Sequence, residues 1–157
     1  MASVVQPVAR RKPRTIRWAA CLWLVAAISG CDRSPDQLLA VDGKSVDISG
    51  KVLLVNYWAE WCKPCREEIP ELNQVVRGRD DLMVVGINYD QLPAERTAEQ
   101  AKKMGIEFPV LIAEPAGRWG QEKPEVLPTT FIVGADGRWL RTLVGPQTVE
   151  SLEAAVK

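Results

Sequence analysis

The chain has 157 residues, 46% hydrophobic and 25% charged, an ordinary globular composition that allows one domain with or without a processed segment. Its 20 Lys+Arg balance 20 Asp+Glu, and a net charge of zero argues against a nucleic-acid binder that works by neutralising phosphates. There is no histidine, which excludes Ser-His and Cys-His nucleophile pairs, His-ligated metals and imidazole acid-base chemistry.

The zero is a sum of two unlike parts. The first 17 residues carry Arg10, Arg11, Lys12, Arg14 and Arg17 and no acid, whereas everything after Cys31 carries 15 basic and 20 acidic residues. A cationic stretch followed by the 11-residue apolar run 18–28 has the layout of a secretory signal. The run is short of the roughly 20 residues that a spanning helix needs. Its exit, Ile28-Ser29-Gly30-Cys31, resembles the bacterial lipobox, in which cleavage leaves the cysteine as a lipidated N-terminus. We therefore expect a leader over 1–30, acylation at Cys31 and a polar tether over 31–37. A plain signal peptide with an incidental Cys31 and an uncleaved anchor are the alternatives. Of the four cysteines, Cys21 falls in the leader, which leaves Cys62 and Cys65 for chemistry.

From Leu38 onward the pattern is that of one folded domain, 38–157. Residues 38–48, broken by Asp42-Gly43, read as a hairpin. The run Val52 to Trp58 is nearly all apolar, as expected of a strand buried on both faces. After Cys65 the spacing turns helical, with Ile69, Leu72, Val75 and Val76 on one face and Pro70 expected to kink the helix. Leu82 to Tyr89 reads as a second buried strand, Pro93 to Met104 as a helix stopped by Gly105, and Val110 to Ala113 as a short strand. Residues 129–133 and 138–144 flank the turn signal Asp136-Gly137, and Thr148 caps a last helix. The order β-β-β-α-β-α-β-β-β-α implies an α/β fold, a mixed sheet with helices on both faces. Trp58 is expected in the core, Trp61 as a shield over the sulfurs, and Trp119 and Trp139 in part-buried positions.

Trp61-Cys62-Lys63-Pro64-Cys65 falls between a buried strand and a helix. A cysteine at a helix N-terminus meets unpaired backbone N–H groups and the positive end of the dipole, and both favour thiolate, the reactive form. Two intervening residues let the second sulfur resolve a mixed disulfide formed at the first. Pro64 suits the first turn, where its missing N–H costs nothing. A structural disulfide is the alternative, although so short a loop gains little closure entropy. Zinc is a weaker one, since no second Cys pair and no histidine complete a closed site.

The block Val55 to Leu72 around that motif resembles the active site of thioredoxin-fold proteins, and more narrowly the membrane-tethered TlpA/ResA/DsbE group of extracytoplasmic thiol-disulfide oxidoreductases. Residues 85–89 and the Leu127-Pro128-Thr129-Thr130 block match as well, and the resemblance spans about 38–156. It implies a thioredoxin fold with an N-terminal β-hairpin and a helical insertion, here 91–107. It implies that Cys62 is the exposed attacker and that Cys65 resolves. It implies too that Pro128 is cis beside the disulfide, where Trp61, Leu127 and Pro128 receive the substrate chain. Thioredoxin has a buried aspartate where this chain has Asn56, and in the ResA-like branch a glutamate matching Glu68 takes a related proton role. A solvated acid near the helix start is the other reading of Glu68, and Glu60, which matches an acid of some thioredoxins, is read either as a contributor or as an exposed rim acid.

The resemblance further implies a disulfide reductase with no cofactor, on the periplasmic side of the inner membrane. Its substrates would be disulfide-bearing proteins, with apocytochrome c one client, and its electrons would come from a DsbD/CcdA-like transmembrane donor. A general exchange protein, an oxidase and a non-catalytic peptide-binding chaperone remain open at this point. A Sco-like copper carrier needs a wider cysteine spacing and a histidine, and a peroxiredoxin-type peroxidase needs a different cysteine motif.

Overall fold

The computed structural model describes residues 36–115 and 117–157, all within the unit Arg33–Lys157. The expected leader 1–30, the acylation site Cys31 and all but the end of the tether 31–37 lie outside the described residues.

A hairpin comes first in the order of the described residues. Strand β1 (Gln37–Leu39) pairs antiparallel with β2 (Ser45–Asp47), beginning one residue before the expected boundary. Strand β3 (Val52–Trp58) then runs through the middle of a four-stranded sheet. It pairs parallel with β4 (Leu82–Asn88) and antiparallel with β5 (Thr129–Val133), and β6 (Trp139–Val144) closes the far edge. The order is β4-β3-β5-β6. Helix α1 (Lys63–Val75) makes the crossover that a parallel β3–β4 pair requires. It continues past Pro70, which sits inside it without an N–H to give. Helix α2 (Ala94–Met104) ends on Gly105, whose φ of 73° is the left-handed C-cap conformation that glycine adopts freely. Helix α3 (Val149–Ala155) starts in a capping box between Thr148 and Ser151.

Period-2 alternation in β3 decides what reaches the site. Leu53, Val55 and Tyr57 join a core with Leu38, Val46 and Trp119 on the hairpin side. Leu54 packs with Leu72, Val75 and Leu152 on the α1/α3 side, and Trp58 joins Cys62, Cys65 and Ile69 in a third cluster. Asn56, between Leu54 and Trp58 in this alternation, is thereby placed as a polar residue on the α1 side. Gly86 of β4 is needed where it stands. A Cβ there would lie 2.9 Å from Trp58 Nε1, 3.0 Å from Phe108 and 3.2 Å from Val110.

Two expectations are corrected. Residues 110–113 do not form a strand. Val110 and Leu111 make only isolated bridges, parallel to Gly86 and antiparallel to Ala40. Pro109 has no N–H to extend the pairing, and Ile112 beyond the bridges is exposed. The segment still stitches the hairpin to β4 through Val41 N–H to Val110 O and Leu111 N–H to Gly86 O, each 2.8 Å. Trp139 is exposed because β6 is the edge strand and only Leu143 of its side chains is half-buried, whereas Trp119 is buried. Among the described residues, no helix is long and apolar enough to cross a membrane.

Candidate active site

The end of β3 delivers the chain to Cys62, which is the N-cap of α1. Its extended backbone (φ −78°, ψ 100°) turns the sulfur back so that it accepts the Cys65 N–H at 3.2 Å. Pro64 occupies the first turn, as expected. Cys62 and Cys65 are joined in a disulfide with Cα atoms 5.3 Å apart. Cys62 is not exposed in this oxidised form. It is 3% accessible and Cys65 1%, because both sulfurs sit against Trp58, Ala59 and Ile69 in one apolar cluster.

Glu68 lies one turn beyond Cys65 on α1, and residues three apart share a helix face. It is 1% exposed, which excludes the solvated-acid reading. The Asn56 amide donates to Glu68 Oε2 at 2.9 Å and to Thr130 Oγ1 at 2.9 Å, so β3, β5 and α1 meet at one buried polar knot. Burial pushes the Glu68 carboxyl up to about 7, partly offset by the Asn56 amide and by the Gln147 backbone, which both favour the charged form.

The Leu127–Pro128 peptide bond is cis. Leu127 packs against the cluster that holds both cysteines, and the Pro128 carbonyl accepts the Gly145 N–H at 2.9 Å. Trp61 is 66% exposed and stands on the rim instead of being packed over the sulfurs. Its indole N–H donates to both oxygens of Asp90, at 3.2 and 3.1 Å. Glu60 pairs with Lys103 at 3.4 Å on the surface. Sequence reasoning missed the parts played by Thr130 and Asp90. Spacing gave no sign of them, since β5 and the turn after β4 reach the cysteines only in the fold.

A buried, helix-capping Cys-x-x-Cys pair at the end of the central strand, with a cis-proline entering the neighbouring strand, defines a thioredoxin-fold thiol-disulfide oxidoreductase. The chain belongs to the AhpC/TSA family, whose profile matches residues 37–139, and within it to the TlpA/ResA/DsbE-like thiol-disulfide oxidoreductases. It is 32% identical over 124 residues to the thiol-disulfide oxidoreductase ResA of Bacillus thuringiensis (strain Al Hakam), covering 74% of this chain and 70% of that protein. It is 36% identical over 100 residues to the thiol:disulfide interchange protein HelX of Rhodobacter capsulatus, covering 63% of this chain and 55% of that one. A thioredoxin-family thiol:disulfide interchange protein from Chlorobium tepidum superposes with a TM-score of 0.63 at 29% identity, covering 76% and 89% of the two chains.

Proposed function

We propose that this thiol-disulfide oxidoreductase works as a disulfide reductase outside the cytoplasm, held to the membrane by a lipid on Cys31. The observation that carries the chemistry is a buried carboxyl, Glu68, one helical turn from the resolving cysteine and tuned to about 7. Cys62 thiolate attacks one sulfur of the partner's disulfide. That S–S bond breaks, a mixed disulfide forms, and the partner's first sulfur leaves as thiolate and takes a proton. Cys65 gives its proton to Glu68, and its thiolate attacks the Cys62 sulfur. The partner's second thiolate leaves, and the Cys62–Cys65 disulfide closes. Two electrons have passed to the partner, and the oxidised pair seen here is the product. Trp61, Leu127 and Pro128 seat the partner chain.

The electrons that reopen the pair would come from a DsbD/CcdA-like membrane donor, and apocytochrome c is the client we favour, both by likeness to the family. The export layout of residues 1–30 and the lipobox-like exit support the periplasmic face of the inner membrane. A Cys65→Ser variant in the source cell tests the client assignment by arresting the mixed disulfide at Cys62. Capture of one membrane donor and cytochrome-maturation proteins is the expected result. Capture of many unrelated proteins makes this a general exchange protein, and no capture at all defeats the reductase reading.

A further inference from the structure

An exposed indole next to the reactive cysteine would swing freely unless something held it, and here the turn after β4 holds it and is itself held by a second segment. The Trp61 N–H is bound to the Asp90 carboxylate, and the Asp90 N–H is bound to Asn88 Oδ1 at 2.9 Å. The Trp61 ring meets Tyr89 edge-on, with centroids 6.4 Å apart and planes at 90°. Tyr89 is held in turn by Lys123. That ammonium lies 3.8 Å from the Tyr89 ring centroid and donates to the Tyr89 carbonyl at 2.7 Å. Lys123 belongs to the stretch that leads into Leu127 and the cis-proline. Tyr89 and Leu127 both pack on the cysteine cluster. The two loops that flank the disulfide are thus tied to each other through one side chain.

We propose that Lys123 is a positioning residue for protein partners. It latches the loop before Leu127–Pro128 to the Tyr89–Trp61 rim and so fixes the width and the wall of the groove in which a partner's cystine is seated. With its N–H spent on Asp90, the indole offers an apolar wall, which fits a partner segment that is apolar beside its cysteine. Lys123 touches neither sulfur, so the latch acts on seating and leaves the exchange chemistry alone. This rests on the disulfide-reducing direction proposed above.

The test compares reduced wild type, Lys123→Met and Lys123→Arg in single turnover. One substrate is insulin, a protein disulfide, and the other is hydroxyethyl disulfide, too small to span the groove. Methionine keeps much of the aliphatic bulk but loses the cation and its donors, whereas arginine keeps both and sits well over an aromatic ring. Lys123→Met should raise the half-saturating insulin concentration about five- to tenfold with an unchanged limiting rate, as loss of an exposed cation–π contact and one hydrogen bond implies. Its rate with hydroxyethyl disulfide should equal that of wild type, and Lys123→Arg should restore insulin saturation to within about twofold. The proposal is overturned if Lys123→Met saturates like wild type, if both substrates slow together, or if arginine does not restore. A wild-type protein inert toward both disulfides would instead overturn the reducing function itself.

Discussion

Glu68 shows how far a residue's role depends on neighbours that sequence spacing does not reveal. Its place three residues after Cys65 is legible in the sequence. Its burial is not, because that depends on Asn56 from β3 and on Thr130, 74 positions from Asn56 along the chain. Cys62 and Cys65 were legible because their chemistry is local, a strand end and a helix start. Even so, the shelter of Cys62 in the oxidised form and the open stance of Trp61 came only with packing. The raised carboxyl has a stability consequence. Between the ordinary value of 4.5 and about 7, the folded protein holds a proton on Glu68 that the unfolded chain has released. Stability is therefore fully present below about 4.5 and falls as pH rises toward about 7, by about 3 kcal/mol. Glu68→Gln should flatten that fall in urea titrations across pH 4 to 8 and should remove an inflection near pH 7 from the exchange rate. An unchanged rate profile in the variant would rule out a proton role for Glu68.

At the scale of elements, the apolar run of β3 predicted a strand buried on both faces and the spacing of α1 predicted its buried face, and the structure has them so. The failures lie where pairing, not hydropathy, decides. Residues 110–113 are apolar enough for a strand but find partners for only two positions. β6 has strand-like side chains, but its edge position leaves most of them in solvent. Gly86 is the reverse case, a residue whose necessity no pattern announces. A methyl group there must displace the Trp58 indole, Phe108 or Val110, and overpacking of this kind costs typically 1–3 kcal/mol. Gly86→Ala should lower the urea midpoint with an unchanged m-value, and a midpoint equal to that of wild type would show that the cluster yields without cost. Because Trp58 packs in the same cluster as both cysteines, the variant should also slow exchange.

For the molecule as a whole, the charge balance divides into a cationic N-terminal stretch and an anionic remainder. The first 17 residues hold five cations and no acid, and residues 32–157 carry a net charge of −5. The proposed lipid tether is tested by Cys31→Ser. The variant should leave the membrane fraction for the soluble periplasmic fraction while keeping insulin reduction intact. Unchanged fractionation would mean that the leader itself, and no acyl chain, is the anchor.

One atom of this molecule belongs to two systems at once. The Cys62 sulfur is both the reactive group and the acceptor that closes the first turn of α1. Any replacement made to silence the chemistry therefore also edits a helix cap. Serine keeps an acceptor at that place, whereas alanine removes it, at a cost of about 0.5–2 kcal/mol for a typical N-cap. An inactive alanine variant would thus mix lost reactivity with a loosened helix, and that helix also carries Cys65 and Glu68. Serine is the informative substitution at position 62, and the difference between the two variants measures the cap.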